Sequence, residues 1–71
     1  MTNSEMLKRK IKESGYKVQF IAQRIGLSYQ GFLNKIQNQS EFKASEIQTL
    51  CELLNLSVPE REEIFFCADC R

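Results

Sequence analysis

Apolar residues fall into five stretches at helical spacing, separated by short polar breaks. Leu7 and Ile11 stand four apart, with Met6 beside them, and predict a helix over residues 4–14 with a narrow buried stripe. Ser4 is its expected N-cap, Glu5 suits the positive end of the dipole, and Gly15 is the expected stop. Val18, Ile21, Ala22 and Ile25 repeat at i, i+3, i+4, i+7, which predicts a second helix over 18–25, ended by Gly26. Ser28 opens a third over 28–37, with Phe32 and Ile36 pointing inward. Gly31 inside it costs about 1 kcal/mol relative to Ala, which close approach of another molecule to the backbone would explain. "NQSEFK" is a polar connection anchored by Phe42. Ile47, Leu50, Cys51 and Leu54 predict a buried stripe on a fourth helix over 44–54. Ser57 and Glu60 have the spacing of a capping box, and Pro59 sits in the first turn of a fifth helix over 57–66. That helix offers Ile64 and either Phe65 or Phe66 to a partner surface, and residues 67–71 are expected to fray.

The break between the second and third helices is the informative one. Gly26-Leu27-Ser28 stops one helix and starts the next, so the apolar faces Ile21/Ala22/Ile25 and Phe32/Ile36 meet across a sharp angle. Ala22 is small enough to let the helices approach, and Leu27 tucks the turn inward. The third helix then projects with its N-terminal end and a polar face free. A projecting helix fits the major groove of B-DNA, where base edges carry a distinguishable pattern.

Composition is compatible with one small all-α domain. Apolar residues make up 42% and charged residues 27%, with three Gly and one Pro. No apolar run is long enough to span a bilayer, and "MTNSEMLKRK" has no apolar segment resembling a secretory signal. A cytoplasmic location with reduced thiols is therefore expected. The net charge of +1 hides an asymmetry: residues 1–43 hold eight Lys/Arg against three acids (+5), and residues 44–71 two against six (−4). A basic part of this kind suits a polyanion.

The segment "GYKVQFIAQRIGLSYQGFLNKIQNQSEFKASEIQTLCELLNLSVPEREEIFF" resembles the Cro/CI-type (Xre-like) helix-turn-helix regulators, in particular the small phage and mobile-element versions. Ala22, Gly26, Leu27, Ser28 and Phe32 carry the resemblance, which covers residues 5–66. It implies a five-helix lambda-repressor-like DNA-binding domain that acts as a homodimer on a double-stranded operator, with dimer contacts from the fourth and fifth helices. Where the family often has Thr-Gln at the start of the second helix, this chain has Lys17 and Val18, with Gln19 one later. Lys35 stands where many members have an apolar residue.

By resemblance, base contacts fall to Ser28, Tyr29, Gln30, Leu33 and Asn34. Gln30 and Asn34 are four apart and share a face, and an amide can pair bidentately with adenine. Tyr29 could meet a phosphate or a thymine methyl, or fold back beside Leu33; Leu33 could touch a thymine methyl or join the core. Phosphate contacts are expected from Lys17, Gln19, Lys35, Asn38, Gln39, Ser40 and Lys43. Lys8, Arg9, Lys10 and Lys12 read as a soluble face. Cys67-Ala-Asp-Cys70 is a lone CxxC in a chain without His, so no metal, redox role or other cofactor is expected. With no His, no carboxylate pair and no phosphate loop, an enzyme is not expected. The competing function is a protein-interaction module, such as an antitoxin or antirepressor, built on the same fold.

Overall fold

A computed structural model describes residues 2–66. It contains α1 (Ser4–Ser14), α2 (Val18–Arg24), α3 (Tyr29–Ile36), α4 (Ala44–Leu53) and α5 (Val58–Phe65). No strand occurs among the described residues. None of their helices is long and apolar enough to cross a membrane. The expected fraying of 67–71, and Cys67 and Cys70 with it, lie outside the described residues.

Each element starts and stops for local reasons. The α1 cap is Asn3, not the expected Ser4: the Asn3 side chain accepts from the Met6 N–H at 3.2 Å. Ser4 is already helical, and its hydroxyl donates to the Ile36 carbonyl at the end of α3. Ser28 caps α3 by accepting from the Gly31 N–H at 3.0 Å. Gly31 therefore has a local role: a Cβ there would meet Ser28 Oγ at 3.0 Å. In α5 the capping box is complete. Ser57 Oγ accepts from the Glu60 N–H at 3.3 Å, and Glu60 accepts from the Ser57 N–H at 2.9 Å.

Three helices end in the same left-handed device. After α2, Gly26 has φ +81°, its N–H reaches the Gln23 carbonyl, and the Leu27 N–H reaches that of Ala22. After α3 and α4, Asn38 (φ 66°) and Asn55 (φ 55°) stand in the place of Gly26 with equivalent bonds. Asn tolerates this conformation better than most residues, so a helix stop without glycine is physically reasonable. The apolar residue that follows at Leu27 and Leu56 packs against the core.

Leu7, Ile21, Phe32, Leu50 and Ile64 are fully buried, with Ala22 and Ile36 nearly so. α3 lies against α1 and α2, α4 against α2, and α5 against α1. Each buried aliphatic or aromatic side chain contributes about 1.5–3 kcal/mol. Phe42 is the anchor its connection needed, edge-on to Phe32 at 6.1 Å and to Phe65 at 5.6 Å. The open choice at the end of α5 resolves to Phe65 inside and Phe66 outside, 56% exposed. Cys51, expected to be buried, is only half-buried, and desolvation there still pushes its thiol above the ordinary value.

Candidate nucleic-acid interface

The chain does turn a corner between Arg24 and Tyr29. Phe32 and Ile36 hold α3 down by its inner face, which leaves Tyr29 and Gln30 exposed and Asn34 half-exposed on the other side. Gln30 Nε2 donates to Asn34 Oδ1 at 2.9 Å, so the two amides form a paired polar edge one turn long. Ser28, at the start of this edge, is exposed but serves first as the helix cap. Leu33 is half-buried and packs against the core, so the inward alternative holds for most of its surface. Tyr29 does not fold away: it is 48% exposed.

Beside this edge stands the start of α2. Lys17 occupies its N-cap position with no side-chain cap bond, and Lys17 and Gln19 are both exposed. Gln19, Gln23, Ser28 and Tyr29 line one notch of about 370 Å³ between α2 and α3. Gln23 is absent from the expected residues, although it follows Gln19 by one helical turn and shares its face.

Two residues expected to contact phosphate, Lys35 and Asn38, have side-chain partners within the fold. Lys35 is an ion-pair partner: its Nζ lies 2.7 Å from Glu46 Oε1, and the two side chains are only 12% and 9% exposed. Glu46 Oε1 also accepts from the Lys43 N–H at 2.9 Å, which fixes the start of α4. Burial pushes the Glu46 carboxyl up, but these hydrogen bonds from Lys35 and Lys43 outweigh it and hold the group below its ordinary value. Asn38 is exposed, but its amide is bound to the N-terminal segment. Its amide accepts from the Thr2 N–H at 2.8 Å and donates to the Thr2 carbonyl at 2.9 Å and to Ser4 Oγ at 3.1 Å. Thr2 is buried by this contact, and the Asn3 N–H donates to the Ile64 carbonyl at 2.7 Å. Residues 2–4 thus stitch the end of α3 to the end of α5. Gln39, Ser40 and Lys43 remain exposed after α3.

No protein-family model, curated protein or solved structure matches this chain. Any role for it therefore rests on these side chains and their placement. Among the described residues no three His, Cys, Asp or Glu side chains cluster where a metal ion could be held. An exposed aromatic pair is a further feature that the apolar periodicity passed over. Tyr16, just before α2, and Phe20 within it are each 41% exposed, with ring centroids 5.2 Å apart. Their i, i+4 spacing was the available signal.

Proposed function

We propose that this chain is a sequence-specific double-stranded-DNA-binding transcriptional regulator of the repressor type, working in the cytoplasm of a bacterial or phage-infected cell. α2, the turn at Gly26 and α3 act as a helix-turn-helix in the manner of the Cro/CI-type regulators. α3 enters the major groove and presents Tyr29, Gln30 and Asn34 to base edges, while Lys17, Gln19, Gln39, Ser40 and Lys43 hold flanking phosphates. The observation that carries this reading is the outward Gln30–Asn34 amide edge on a helix whose opposite face is fully buried. An amide edge is the chemistry that pairs with adenine N6 and N7.

The active species is a homodimer. Each copy offers one such helix, α3, so paired half-sites roughly 34 Å apart take two copies. Selection of bound sequences from a random duplex pool tests the reading. The expected result is a two-fold-symmetric site, and enrichment of no sequence overturns it. The second reading, a protein-interaction module such as an antitoxin or antirepressor, draws on the exposed Tyr16–Phe20 pair. A chain of that kind would bind no DNA even near 50 mM salt, where phosphate contacts are strongest.

A further inference from the structure

A groove of about 600 Å³ runs between α1, the start of α2 and α3. Ile11, Val18, Leu33 and Ile36 form its floor. Lys8, Lys12, Lys17, Gln19, Gln37, Tyr16 and Tyr29 supply the rest of the lining. Every polar side chain in this set can donate a hydrogen bond, and none is a carboxylate. Tyr29 and Leu33 also belong to the expected base-reading set, and Lys17 and Gln19 to the expected phosphate set. The groove is therefore continuous with the proposed DNA face.

The basic run on α1 divides on this geometry. Lys10 turns away from the groove to Glu60 on α5, with which it forms an ion pair. Arg9 does not line the groove either. Lys8 and Lys12, one turn apart, both do. A run that reads in sequence as a uniformly solvated face thus has two members lining the groove shared with α3 and one tied to α5.

We propose that this groove takes the sugar-phosphate backbone of the duplex that α3 reads, with Lys8 and Lys12 neutralising one phosphate each. The inference rests on the DNA-binding reading and extends it to α1. Charge selects the occupant: lysine ammonium groups without a competing carboxylate suit a polyanion. The apolar floor suits the carbon face of deoxyribose. Contacts of this kind position the protein without reading sequence, so they act on all duplexes alike.

The test is the salt dependence of binding for the full-length chain, measured by fluorescence anisotropy on a selected site and on a random duplex. Each phosphate contact contributes about 0.9 to the slope of log K against log salt. Lys8→Gln and Lys12→Gln are each expected to reduce the slope by about 0.9. The affinity lost between 50 and 200 mM salt then shrinks by about 3.5-fold per lysine. The reduction should be equal on both duplexes, and Arg9→Gln should leave the slope unchanged. Binding by the unsubstituted chain with unchanged slopes in Lys8→Gln and Lys12→Gln overturns the α1 assignment alone. An equal reduction in Arg9→Gln also overturns it, because it would show general charge attraction rather than a groove. No binding by the unsubstituted chain at 50 mM salt overturns the DNA reading and this inference together.

Discussion

Replacing Lys35 with methionine is the sharpest perturbation this structure offers. It separates a structural lysine from a phosphate-binding one at a position whose sequence context favours the second. Lys35 and Glu46 meet at 2.7 Å with 12% and 9% of their side chains exposed. Removing one partner of a fully buried pair costs about 3–5 kcal/mol, because the other charge is left uncompensated. Here water reaches an edge of the pair, and the Lys43 N–H continues to serve Glu46 at 2.9 Å. We therefore expect a loss of about 2 kcal/mol for Lys35→Met. A chain of 71 residues holds only roughly 4–10 kcal/mol in total. The melting temperature should fall by about 8–16 °C.

Urea denaturation of a double-mutant cycle measures the effect. Lys35→Met combined with Glu46→Gln removes both charges and keeps an acceptor for the Lys43 N–H. The double variant should recover most of the loss, to within about 1 kcal/mol of the parent, since a buried pair is often replaceable as a unit. The same Lys35→Met protein, assayed below its melting temperature, should bind duplex DNA with an unchanged salt slope. A single variant within about 0.5 kcal/mol of the parent, or one whose slope drops by about 0.9, would refute the reasoning and return Lys35 to the phosphate set.

Other expectations follow from the same geometry. Gln30→Ala should cost about 1–3 kcal/mol of discrimination at one base position and leave the salt slope alone, as read by competition with single-base variants of the selected site. Glu60 is held down to about 2 by its hydrogen bond from Lys10, aided by the Ser57 N–H. A carboxyl depressed on folding stabilises above its ordinary value of 4.5, and that contribution is lost as pH falls from there towards about 2. Glu60→Gln should flatten that part of the stability–pH curve measured by circular dichroism, and high salt should shrink the difference because the pair is partly exposed. Asn38→Gly keeps the left-handed backbone and deletes the clamp on Thr2; Asn38→Ala deletes the clamp and adds strain. Urea unfolding should therefore rank Ala below Gly by about 1–2 kcal/mol. Phe32→Ala, at the centre of the core, should cost about 3–5 kcal/mol and leave little folded protein by calorimetry.

The five helices were legible because their signals are local. The helical stripes named Leu7, Ile11, Ile21, Ala22, Phe32, Ile36 and Leu50, which are buried, together with Val18, Ile25, Ile47, Cys51 and Leu54, which are half-buried at the edge of the core. Ser28 and the Ser57–Glu60 box are also local, since donor and acceptor lie within three residues. α1 starts at Ser4 as expected, but its cap is Asn3 and not Ser4, because both are competent caps. The choice was made by Ile36, thirty-two residues away, which takes the Ser4 hydroxyl and leaves the cap to Asn3.

The same rule explains the site. Gln30 and Asn34 could be placed together because their partner bond spans one helical turn. Lys35 and Asn38 could not be told apart from neighbours without a partner in the fold, because Glu46 lies eleven residues on and Thr2 thirty-six residues back. A side chain bound to another element must break that contact before it meets a ligand, whereas the Gln30–Asn34 bond within α3 leaves the Gln30 carbonyl and the Asn34 amino group free. Lys17, Gln19, Gln39, Ser40 and Lys43 have no such side-chain partner among the described residues, and all five are exposed. What distinguishes them from Lys35 and Asn38 is therefore the cost of meeting a phosphate: they give up only water to do so, whereas Lys35 and Asn38 would first have to break the contacts that hold α3 to α4 and to the N-terminal segment.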